Sequence, residues 1–64
     1  MARNKEFEHG YSMGYDLARY NGNANPKRSI LERGISLRTQ YAVGFLKGFA
    51  DYKKGLPQKY GKED

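Results

Sequence analysis

The chain contains no cysteine and no tryptophan, only one histidine and two prolines, and no long apolar run. Without cysteine there can be neither disulfides nor thiolate metal ligands, which suits a reducing compartment. His9 has no companion ligands at metal-binding spacing, so no metal and no other cofactor is expected. Nothing approaches the roughly 20 apolar residues of a membrane span. Met1-Ala2-Arg3-Asn4-Lys5 leads into no apolar signal-peptide core. These absences together point to a soluble, cytoplasmic protein. A length of 64 residues allows one small domain, 1–64. A core of that size supplies rarely more than about 3–5 kcal/mol, so such chains commonly lean on a partner.

What the chain has is positive charge, unevenly placed. The net charge is +5. Residues 1–18 carry Arg3 and Lys5 against Glu6, Glu8 and Asp16, a net of −1. Residues 19–38 carry Arg19, Lys27, Arg28, Arg33 and Arg38 against Glu32, a net of +4. Residues 47–62 hold five lysines against Asp51, again +4. Six tyrosines and three phenylalanines lie among these charges. Basic segments favour polyanions through phosphate neutralisation and counterion release, so a nucleic acid or ribosomal partner is expected.

Spacing predicts an all-α fold. Asn4 is a good N-cap, and Glu6 and Glu8 follow in the first turn, where the helix dipole favours acids. Phe7, Gly10, Tyr11, Gly14, Leu17 and Ala18 recur three and four apart, giving a helix over about 5–20. Asn21-Gly22 would close it with a left-handed residue. Residues 21–36 read as a loop that can hold a third, short helix, started by Asn25-Pro26 or by a Ser29/Glu32 capping box and ended by Gly34. Ile30, Leu31 and Ile35 would cover an open edge of the core. Ser36 can cap a last helix over about 37–54, in which Leu37, Tyr41, Gly44, Phe45, Gly48, Phe49 and Tyr52 form the apolar stripe. Gly55-Leu56-Pro57 reads as its stop, and the polar residues 58–64 as a frayed tail.

"GYSMG" at residues 10–14 matches G-x-S-x-G, the elbow that exposes a nucleophilic serine in α/β-hydrolases. No strand pattern precedes it, and His9 stands before Ser12 rather than after an acid. The same glycine spacing returns without serine: Gly10-Tyr11 and Gly14-Tyr15 match Gly44-Phe45 and Gly48-Phe49. Glycine inside a helix costs roughly 1 kcal/mol relative to alanine, and close helix approach is the reason to keep it. The expected fold is therefore a small antiparallel two-helix hairpin packed through Gly10, Tyr11, Gly14, Tyr41, Gly44, Phe45, Gly48 and Phe49, with the middle segment over one end. Asp16 and Asp51 are expected to pair with Arg19 and with Lys47 or Lys54 along their own helices. No catalytic residue stands out, and the chain reads as a non-enzyme.

Arg38-x-Gln40-Tyr41-x-x-Gly44-Phe45, followed by Ala50-Asp51, resembles the C-terminal helix signature of the ribosome modulation factor family. There an Arg-x-Gln-Trp stretch leads into Gly-Trp; Tyr41 and Phe45 stand here where the family has its tryptophans. Gly10-Tyr11-x-x-Gly14 is similar to the family's Gly-Tyr-x-x-Gly, and Pro26 to its loop proline. The resemblance spans about residues 8–52. It implies a small two-helix protein bound to small-subunit rRNA near its 3′ end, where it blocks initiation and favours inactive paired ribosomes. The residues expected to hold RNA are Arg19, Lys27, Arg28, Arg33 and Arg38, converging on one end of the molecule. Gln40 would reach a base edge or ribose, and Lys53 and Lys54 would add weaker attraction. Tyr15, Tyr20 and Tyr60 are the tyrosines expected at the surface. The competing class is a small phage- or plasmid-type inhibitor that binds a host protein machine. A protein partner or a homo-oligomer fits the same composition.

Overall fold

Three side-chain caps set the starts of the helices. Asn4 accepts from the Phe7 amide at 3.0 Å, Asn25 from Arg28 at 3.2 Å and Thr39 from Ala42 at 3.1 Å. In the computed structural model, which describes residues 4–60, these caps open α1 (Lys5–Tyr20), α2 (Pro26–Glu32) and α3 (Gln40–Lys53). The described residues contain helices and turns and no strand. The Asn25-Pro26 start of α2 prevails over the Ser29/Glu32 box. Two ends are glycine caps: Gly34 (φ 75°) and Gly55 (φ 79°) are left-handed. In each, the amide of the next residue reaches back to the third residue from the helix end, Ile35 to Ile30 and Leu56 to Asp51.

Two boundaries differ from the sequence reading. The last helix starts at Gln40 rather than Leu37, because Ser36 is spent in a turn. Its hydroxyl accepts from the Arg38 amide and its carbonyl from Thr39. The first helix ends without a left-handed residue. Asn21 is extended (φ −149°), its amide bonds Leu17 and its side chain takes the Asn23 amide.

The two long helices also run in an unexpected direction. Asn4 bonds Gln40 at the start of both long helices, whereas Lys53 reaches the Gly22 carbonyl at the end of both. Between them, Gly10 faces Tyr41, Gly14 faces Phe45, Gly44 faces Phe7 and Gly48 faces Tyr11. Both numbers rise together, so α1 and α3 are parallel, not an antiparallel hairpin. The connection permits this: residues 21–39 are long enough to return along the roughly 24 Å of α1, and α2 is part of that return. α2 consequently lies along the flank of the pair instead of over one end. Ile30 is fully buried with Ala42 and Phe45, and Met13, Leu17, Ile35, Leu37, Tyr41 and Leu46 surround them. Leu31 faces water, 55% exposed.

The glycine stripes work as the sequence suggested. A Cβ on Gly10 would lie 2.8 Å from the Tyr41 carbonyl carbon, and one on Gly14 2.7 Å from that of Phe45. On Gly44 or Gly48 it would lie 2.9 Å from the carbonyl carbon of Phe7 or Tyr11. Backbone meets backbone at all four positions, which no side-chain rotation can relieve. Bare Cα hydrogens leave room for C–H···O contacts between the helices, each worth perhaps 0.5–1 kcal/mol.

The two stripes are related by an approximate twofold axis, and the two grooves beside them differ in chemistry. The groove under α2 is lined by Met13, Leu17, Tyr41, Ala42, Phe45 and Leu46. The positions that correspond in the repeat are Lys47, Asp51, Phe7, Glu8, Tyr11 and Ser12. Leu17 is thus replaced by Asp51, and Phe45 by Tyr11. Tyr11 and Asp51 are both buried, and the Tyr11 hydroxyl donates to Asp51 Oδ2 at 2.5 Å. This second groove is closed by the segment after α3, not by a helix. The Tyr15 hydroxyl donates to the Leu56 carbonyl at 2.8 Å, Gln58 lies 3.4 Å from the Ser12 hydroxyl, and the Lys59 amide reaches the Tyr11 hydroxyl at 3.3 Å. Tyr60 packs edge-on to Phe7 and Tyr11. Residues 58–60 are therefore a docked strap, because polar groove atoms give a polar segment something to bond; residues 61–64 of the expected tail lie outside the described residues.

Candidate nucleic-acid interface

The ten Lys and Arg side chains between residues 4 and 60 face five Asp and Glu. Arg19 pairs with Asp16 at 2.7 Å, Arg28 with Glu32 at 3.1 Å, and Lys47 with Asp51 at 3.9 Å. The first two pairs are exposed at both partners, and such pairs contribute about 0–1 kcal/mol and exchange readily with a phosphate. Lys27, Arg33, Arg38, Lys53 and Lys54 are exposed and have no carboxylate partner among the described residues. Asp51 does pair with Lys47 along its helix, but its closer partner is the Tyr11 hydroxyl from the neighbouring helix. Its Oδ1 has no hydrogen-bond partner among the described residues.

The parallel arrangement separates residues that the sequence reading had brought to one end. Arg19, Lys53 and Lys54 stand at the C-terminal pole of the pair, where the Lys53 ammonium bonds the Gly22 carbonyl at 2.8 Å and lies over the Phe49 ring. Lys27 and Arg28 open α2. Arg33 caps α2 and is held by two aromatics: its guanidinium donates to the Tyr41 hydroxyl at 3.3 Å and sits 5.7 Å from the Phe45 ring centre. Arg38 and Gln40 lie at the N-terminal pole, and the Gln40 carbonyl oxygen is taken by Asn4 at 3.0 Å. Lys27, Arg28, Arg33 and Arg38 are therefore strung in a row along the returning segment, from the start of α2 to the N-terminal pole, rather than gathered at one end. A row of cations suits successive phosphates of one strand better than a single anion.

The helix-packing residues are where the stripes put them: Gly10, Tyr11, Gly14, Gly44, Phe45, Gly48 and Phe49 are buried and Tyr41 is half-buried. Of the tyrosines expected outside, Tyr20 is 91% exposed. Tyr60 is exposed as well, at 37%, though its ring packs on Phe7 and Tyr11, whereas Tyr15 is half-buried against Tyr11 and Tyr52. Ser12 lies mid-helix in α1, without the strand-to-turn geometry of an elbow, and faces Gln58. His9 is exposed and leans on the Tyr41 ring. No described helix is long and apolar enough to cross a membrane.

Sequence reasoning missed the Tyr11–Asp51 pair. Burial and the hydrogen bond to Asp51 push the Tyr11 hydroxyl from its ordinary 10.0 up to about 12, the Lys59 amide opposing them in part. The signal was present in the repeat, because Asp51 occupies the stripe position held by Leu17 in the first copy. Set against protein-family models, curated proteins and solved structures, the chain matches none. The likeness to ribosome modulation factor rests on the motif residues alone.

Proposed function

We propose that this chain is a small RNA-binding protein of the cytoplasm that docks on small-subunit rRNA, represses translation and favours inactive ribosome pairs. The observation that carries the reading is the exposed row Lys27, Arg28, Arg33 and Arg38, in which three of four cations lack a carboxylate partner among the described residues. The motif resemblance supplies the ribosome as the polyanion. Arg33 is the best-organised member, since its stacked guanidinium pays little conformational entropy on meeting a phosphate. Arg38 and Gln40 stand beside the start of α3, where backbone amides and the helix dipole add attraction for phosphate. Arg19, Lys53 and Lys54 add charge at the opposite pole. The action is occupancy rather than catalysis, and neither cofactor nor metal takes part.

Lys27→Glu with Arg28→Glu tests the reading. Both side chains are exposed, so helix content by circular dichroism should stay unchanged. Co-sedimentation with small subunits at moderate salt should fall steeply. Wild-type co-sedimentation of that variant would refute the RNA reading and favour a protein-binding inhibitor.

A further inference from the structure

Five of the six tyrosines have structural employment. Tyr11 bonds Asp51, Tyr15 bonds Leu56, Tyr41 holds Arg33, Tyr52 packs on Tyr15, and Tyr60 packs on Phe7 and Tyr11. Tyr20 alone has neither ring partner nor hydrogen bond among the described residues, and at 91% it is the most exposed large apolar side chain there. It is the last residue of α1, followed by the turn Asn21–Asn25. The parallel pairing brings the end of α3 to the same place: the Lys53 ammonium is fixed on Gly22, two residues beyond Tyr20, and Lys54 follows it. Arg19 precedes Tyr20 in the last turn of α1.

A free ring at a pole that also carries Arg19, Lys53 and Lys54, followed by a turn with three exposed asparagines, has a specific chemical match. Duplex RNA keeps its base faces stacked and unavailable, whereas an unpaired nucleotide offers a π-face to the ring, phosphates to the lysines and base edges to the amides. We infer that the C-terminal pole of α1 and α3 is a second site, one for single-stranded RNA, with Tyr20 stacking on an unpaired base and Arg19, Lys53 and Lys54 holding the adjoining phosphates. The inference rests on the RNA-binding reading above and adds its preference for unpaired strands.

The chain has no tryptophan, so Tyr20→Trp installs a single reporter at a position 91% exposed among the described residues. Its emission is measured against oligo(rU), a duplex RNA of equal length and inorganic polyphosphate, alongside the affinity of Tyr20→Ala for oligo(rU). Quenching by oligo(rU) but not by polyphosphate, with stronger binding than to the duplex, is the expected result. Tyr20→Ala should bind oligo(rU) roughly 5- to 150-fold more weakly, the loss that follows from removing one stacked base. Unquenched emission at saturating oligo(rU), or unchanged affinity of Tyr20→Ala, overturns this site while leaving RNA binding by the Lys27–Arg38 row intact. Failure of the wild type to bind oligo(rU), duplex RNA and small subunits alike overturns both readings.

Discussion

Tyr11→Phe removes one oxygen from the centre of the molecule, and its cost follows from what that oxygen touches. Asp51 is 1% exposed, and its Oδ2 takes the Tyr11 hydroxyl while Oδ1 has only Lys47 at 3.9 Å. Losing the hydroxyl strips the carboxylate of its one close donor, and an unsatisfied buried group costs about 1–3 kcal/mol, more when charged. A chain of this size has only about 3–5 kcal/mol to lose. Tyr11→Phe should therefore remove half or more of the folding free energy in a urea titration. Asp51→Leu should cost about 1–3 kcal/mol by the same reasoning, because the hydroxyl then lacks an acceptor. The double variant is different: it rebuilds in this groove the Phe45 and Leu17 pair of the other. Replacing both partners with apolar groups of similar shape is often neutral or stabilising. Lys59 is an exposed residue, and its amide can then turn to water. The double variant should be more stable than either single one, a coupling of about 2 kcal/mol or more. If the two losses simply add, within about 0.5 kcal/mol, the buried pair is not a unit and the repeat-based reasoning fails.

Because the Tyr11 hydroxyl is held protonated up to about 12 rather than 10.0, its contribution is whole below pH 10 and is lost as pH rises from 10 to 12. That displacement is worth about 2–3 kcal/mol; alkaline titration of stability should show the decline in the wild type and not in Tyr11→Phe. Gly14→Ala and Gly48→Ala should each lower stability by about 1–3 kcal/mol despite alanine's better helix propensity, since the new Cβ meets carbonyl backbone. Equal or higher melting temperatures would refute the close approach. Gly22→Ala, with its nearest neighbour at 3.4 Å, should be nearly neutral in the same assay.

Much of the fold was legible because helix signals are local. Asn4, the glycine–aromatic stripes, Asn25-Pro26, Gly34 and Gly55 act within a turn or two of themselves, and each does what its chemistry suggests. Direction was not legible, since a glycine stripe offers the same groove to a parallel and an antiparallel neighbour. Residues 21–39 are long enough to return along α1, which permits the parallel pairing without dictating it. The strap was hidden for a related reason: Gln58, Lys59 and Tyr60 read as a tail until Tyr11, Ser12 and Tyr15 are seen to supply bonds for them. At the candidate interface the residue types were readable and their grouping was not. Reversing one helix turned a predicted cluster into a row with a separate basic pole.

The most direct test of the RNA reading is co-sedimentation of the wild-type protein with isolated small ribosomal subunits across a salt series. Four phosphate contacts by Lys27, Arg28, Arg33 and Arg38 imply that log affinity falls with log salt at a slope of about −3, or steeper where Arg19, Lys53 and Lys54 engage the same RNA. Binding at low salt that declines with about that slope is the expected result; no binding at low salt, or binding indifferent to salt, would contradict it.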